Sequence, residues 1–86
     1  MIKYENGKYS ASIQFPDCTF IVSAGSINDL RQLLVDELVF QNHSRSVFAS
    51  CAQRKMASEC MQREKAIVKA LNNLNVLEAD HADTDE

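Results

Sequence analysis

Asn6-Gly7 constrains this chain more tightly than any other pair of residues in it. The dipeptide suits a type I′ turn, because both central residues of that turn need positive φ. A two-residue loop there sets Glu5 opposite Lys8, Tyr4 opposite Tyr9 and Ile2 opposite Ala11. Opposed residues share a face of the sheet. Ile2, Tyr4, Tyr9, Ala11, Ile13 and Phe15 therefore fall together, and Lys3, Glu5, Lys8, Ser10, Ser12 and Gln14 face the other way. Turn chemistry and period-two patterning agree, so strands are predicted over 2–5 and 8–15.

Pro16-Asp17 marks the next turn. A two-residue loop pairs Phe15 with Cys18, and a four-residue loop pairs it with Phe20. Both keep Phe20, Val22 and Ala24 on the apolar face, whereas a three-residue loop breaks that parity. A third strand follows over 19–24, and Gly25-Ser26 ends the sheet. Ser26-Ile27-Asn28-Asp29 reads as a capping-box start with Asp in place of Glu. The helix that follows, 27–41, carries Ile27, Leu30, Leu33, Leu34 and Leu38 at helical spacing, with Arg31, Gln32, Asp36 and Glu37 on its wet side.

Asn42-His43-Ser44 are weak helix formers and good cappers, so a break is expected there, with one kinked continuous helix as the alternative. A second helix, capped by Ser44 or Ser46, then runs over 45–77 without Gly or Pro. The fold class is therefore α+β: a three-stranded antiparallel β-meander followed by two α-helices, the second long. One domain spans 1–77, and 78–86 form an acidic tail expected to be flexible. The second helix would be ~45 Å long at 1.5 Å per residue. A compact domain of this size has a radius of gyration near ~12 Å, so the helix must overhang, bend or pair with another chain.

Two apolar tracks run along that helix. One passes through Met56, Cys60, Ile67, Ala70, Leu74 and Leu77, the other through Ala57, Met61, Val68 and Leu71. Two tracks suggest two contacts, one within the domain and one with a partner. Met56, Cys60, Ile67 and Leu74 are the expected self-association seam, with a homodimer favoured.

Charge is segregated although the net value is only −3. Arg45, Arg54, Lys55, Arg63, Lys65 and Lys69 outnumber Glu59 and Glu64 in the second helix, whereas Glu78, Asp80, Asp83, Asp85 and Glu86 crowd the end. Arg54, Lys55, Arg63, Lys65 and Lys69 are the residues expected to meet a partner protein or nucleic acid. A basic stripe can contact phosphates. Glu59 and Glu64 interrupt this one, however, and no aromatic residue lies between Arg54 and Lys69 to stack bases.

No catalytic constellation emerges. Both glycines are explained by turns, leaving none for a phosphate-cradling loop. His43 is far from His81, and neither sits at ligand spacing from a cysteine, so no metal or other cofactor is expected. Cys51 follows His43 by eight residues with no third group to complete a nucleophilic centre. An odd count of three cysteines, with no signal-peptide pattern in Met1-Ile2-Lys3-Tyr4-Glu5, points to reduced thiols in a cytoplasm. No apolar run reaches the ~18 residues of a membrane span.

Gly7-Lys8-Tyr9-Ser10-Ala11-Ser12-Ile13, then Phe15-Pro16-Asp17-Cys18, then Gly25-Ser26 and a Leu-rich helix, resemble the N-terminal half of HicB-like antitoxin domains. That resemblance implies a toxin-binding module, often with DNA-binding autoregulation. The sheet-plus-two-helices layout also resembles several small phage anti-CRISPR inhibitors. The expected function is a non-catalytic interaction protein of bacterial or phage type, cytoplasmic in a bacterial host, which binds and blocks or regulates another protein. The alternative is a nucleic-acid-binding regulator that uses the basic helix; a small hydrolase ranks last.

Overall fold

The computed structural model describes residues 2–84, with side chains to residue 79. Its elements are β1 (Ile2–Glu5), β2 (Lys8–Gln14), β3 (Thr19–Ala24), α1 (Ile27–Ser50) and α2 (Arg54–Thr84). The sheet is antiparallel in the order β1-β2-β3. The fold is α+β, a three-stranded meander followed by two helices of which the second is longer.

The hairpin forms as its turn chemistry dictates. Asn6 and Gly7 have φ of 53° and 77°, and Glu5 pairs with Lys8, Tyr4 with Tyr9 and Ile2 with Ala11. At the second turn the shorter loop is the one adopted. The Phe15 N–H donates to the Cys18 carbonyl at 2.8 Å, and Gln14 pairs with Thr19. Gln14 holds this turn from the side, accepting from Thr19 Oγ1 at 2.9 Å and donating to the Phe15 carbonyl at 3.1 Å. Phe15 and Phe20 stack on the apolar face with ring centroids 5.4 Å apart.

Ser26 caps α1, its Oγ accepting from the Asp29 N–H at 3.1 Å. The core then assembles from three sources: Ala11, Ile13 and Phe15 from β2, Leu30 and Leu34 from α1, and Ile67, Ala70 and Leu74 from α2. α1 lies over β3 and β2, and α2 over β2 and β1.

Two expectations about the helices need correction. The first concerns the break. Residues 42–44 are helical, and α1 runs on to Ser50. Asn42 and Ser44 cost a few tenths of a kcal/mol each in propensity, which packing overrides. The turn comes instead at Cys51-Ala52-Gln53. The Gln53 N–H donates to the Phe48 carbonyl at 2.7 Å, and the Ala52 N–H to the Ala49 carbonyl at 3.2 Å. This is a Schellman stop, and Ala52, with φ of 59°, occupies the left-handed position where glycine is usual. A Cβ in that region costs about 1 kcal/mol. Ala52→Gly is therefore expected to stabilise the chain by about 1 kcal/mol and raise Tm by roughly 4–8 °C, read by thermal denaturation. The second correction concerns the end of the chain. The residues from 78 to Thr84 continue α2 rather than forming a separate tail, and 85–86 lie outside the described residues.

α1 and α2 form an antiparallel hairpin much longer than the sheet, so the molecule measures 52 × 21 × 16 Å with a radius of gyration of 14.6 Å. Of the ways a long helix could be accommodated, this chain uses overhang. Arg63 reaches the Pro16-Asp17 turn, so roughly the last two turns of α1 and the first two of α2 project past the sheet. Where the hairpin leaves the sheet, the helix–helix contact becomes polar. Gln41 is buried, its Nε2 donating to Glu37 Oε1 at 2.9 Å while its Oε1 meets no partner among the described residues. Arg45 pairs with Glu64 at 2.6 Å, and Asn42 donates to the same carboxylate at 3.0 Å. No described helix is long and apolar enough to cross a membrane.

Candidate interaction surfaces

The inward track of α2 is the one expected to self-associate. Ile67 and Leu74 are buried in the core between α1 and the sheet, and Cys60 is buried at the overhanging end, so a second copy cannot reach them. Met56 alone of that set is exposed, at the overhanging end. Spacing alone does not separate an inward stripe from an outward one, because core and interface seams have the same period. Met61 and Val68, from the other track, point outward.

The five basic residues expected to act together are dispersed. Arg63 turns toward the sheet, donating to both carboxylate oxygens of Asp17 at 3.0 Å and lying over the Phe15 ring with 5.8 Å to the centroid. Lys65 lines a groove between α1 and α2, and Arg54 lines its continuation toward the overhanging end. Lys69, one turn on from Lys65, borders Ser12 and Gln14 of β2. Lys55 is exposed near the start of α2. The phosphate-tracking stripe that a nucleic-acid reading needs therefore loses Arg63, which Asp17 engages, while Arg54, Lys65 and Lys69 stay within about 60° of one another on α2.

The hydrogen bond from Arg63 holds the Asp17 carboxyl below the usual carboxylate range. A depressed folded-state pKa stabilises the fold above the unfolded value, and that contribution disappears as pH falls through the folded value. Arg63 stays protonated throughout and adds no pH dependence in this range. Stability should thus decline below about pH 4, and Asp17→Asn should flatten the decline. Thermal melts across acidic pH would show it as a narrowing gap between parent and variant.

The groove has a volume of about 700 Å³ and an apolar wall of Leu38, Val39, Met61 and Val68, with Lys65 and the Arg45–Glu64 pair at its rim.

A second surface was not visible from sequence. Leu33, Phe40 and Val47 recur every seven residues along α1 and are all exposed. Leu33 had been expected in the core; it lies 200° around the helix from Arg31, which reaches Asn75 and Glu78 of α2. Phe40 likewise lies 200° from Asn42, which reaches Glu64. This stripe faces away from α2, with Leu33 and Phe40 on the β3 side of the molecule and Val47 beyond the sheet. The seven-residue spacing was present in the sequence, but the expected break at 42–44 cut it.

The edge below that stripe is unguarded. β1, the other edge, is four residues long and carries Lys3 and Glu5. β3 has six residues, Thr19 to Ala24, with no charge and no proline, and Ile21 is 70% exposed on its outer face. Charges, prolines and brevity are the usual protections of an edge strand, and β3 has none of them. His43 and Cys51 belong to one helix and its cap, about 12 Å apart along the axis, too far for acid–base contact. Comparison with known proteins finds no matching family model, no matching curated protein and no matching solved structure.

Proposed function

We propose that the chain is a non-catalytic protein-interaction module, of the inhibitor or antitoxin-like kind, which binds its target through the β3 edge and the adjoining flank of α1. The observation that carries this reading is the asymmetry of the sheet, one edge protected and the other bare beside an apolar helical stripe. An extended segment of a partner can add to β3 through main-chain hydrogen bonds, while its inward side chains meet Leu33 and Phe40.

The partner on this side is not a second copy. Three strands span ~10 Å and two packed helices need ~8–10 Å, so the helices sit near the two sheet edges. Joining two β3 edges would set the two α1 helices only ~5 Å apart. A lone strand brings no such helix.

Ile21→Lys and Phe40→Asp should each abolish retention of a discrete partner from a bacterial host extract while leaving circular dichroism and Tm near those of the parent. Retention unaffected by both variants would overturn the β3 reading. Material lost on nuclease treatment and on Lys65→Glu with Lys69→Glu would instead establish the alternative, a nucleic-acid-binding regulator that uses α2.

A further inference from the structure

The outward stripe of α2 complements itself. Met61 and Val68 are each 43% exposed and Val76 is 61% exposed. At 100° per residue these positions share a side of the helix with Arg54, Lys65 and Asn72. A two-fold axis between positions 68 and 69, with two α2 helices antiparallel, sets Met61 opposite Val76 and Lys65 opposite Asn72. The same axis brings positions 54 and 83 level with each other along the two helices. Val68 lies at the axis. Lys69, next to the axis, also borders β2.

We infer that the chain forms a two-fold homodimer in which α2 of each copy lies in the α1–α2 groove of the other. Charge complementarity favours a second copy as the occupant. The basic residues of α2 lie in its first half, and the sequence from Glu78 onward is acidic, so antiparallel pairing brings opposite charges together at both ends and parallel pairing brings like charges together. The apolar wall of the groove suits Val76, which its own domain leaves bare. Both helices are long enough for the purpose: α2 extends ~46 Å, and contact along that length with the groove on either side approaches the ~800 Å² per partner of a stable interface. This surface is separate from the β3 edge, so either assignment can fail alone.

Light scattering on the full chain at micromolar concentration should give twice the 9.7 kDa of one copy. Val68→Asp should return it to a single-copy mass with circular dichroism unchanged. Arg54→Glu should weaken association about two- to five-fold, and adding Asp83→Arg should restore it. The register is read by disulfide trapping in a Cys18→Ser, Cys51→Ser background. Met61→Cys with Val76→Cys should cross-link between copies on oxidation, and neither substitution alone should do so. A parent chain of single-copy mass, a dimer that survives Val68→Asp, or efficient cross-linking by Met61→Cys alone would overturn the proposal.

Discussion

Ile67→Asp is expected to abolish cooperative thermal unfolding, whereas the same change one residue later leaves the fold intact. Ile67 is fully buried between the sheet and α1, and Val68 is 43% exposed, in the open groove beside α1. An aspartate at 67 would put a carboxylate in an apolar cluster with no cation described beside it. An uncompensated buried charge costs about 3–5 kcal/mol. A domain of this length has a total stability of roughly 4–13 kcal/mol, so that cost consumes much or all of it. Circular dichroism on heating separates the outcomes: no transition for Ile67→Asp and a near-parental one for Val68→Asp. A cooperative melt for Ile67→Asp would mean that α2 is rotated from the orientation described here.

Leu34→Ala is the second large effect. Leu34 is fully buried and belongs to the same cluster as Ile13, Phe15 and Leu74. Removing its three side-chain carbons loses transfer free energy and leaves a cavity, about 3 kcal/mol together. At roughly 4–8 °C per kcal/mol, Tm should fall by about 12–24 °C. Val39→Ala, on the exposed side of the same helix, should change Tm by only a few degrees. A similar loss at both positions would show that the groove wall, and not the core, supports α1.

The sheet was legible residue by residue because turns are local chemistry. Asn6-Gly7 can adopt the one backbone that fits a two-residue loop, and every cross-strand pair in β1–β2 follows from it. Pro16-Asp17 left two registers of equal parity, and what separates them is a hydrogen bond between Phe15 and Cys18, which parity does not reveal. The start of α1 was legible at Ser26 for the same local reason. Its end was not, because Ala52 holds a conformation that residue type does not advertise. The candidate surfaces were half legible. Seven-residue spacing exposes stripes, but which stripe of α2 turns inward depends on the sheet beneath it. The burial of Ile67 and the exposure of Val68 are tertiary facts. Arg63 shows the same limit: by composition it belongs to a basic patch, yet Asp17, forty-six residues earlier in the chain, takes it out of that patch.

The overhanging hairpin also gives the chain an internal clock. Cys60 is buried near the projecting end, where the helix contact has turned polar, while Cys18 and Cys51 are open to solvent. Local opening free energies in a protein run from near zero at frayed ends up to the global value. A thiol reagent therefore labels two sites at once and the third only when that end of the hairpin separates. The ratio of the slow rate to the fast ones measures the opening equilibrium directly, in the native chain and without denaturant. If a second copy clamps the hairpin, the slow phase will lengthen as protein concentration rises.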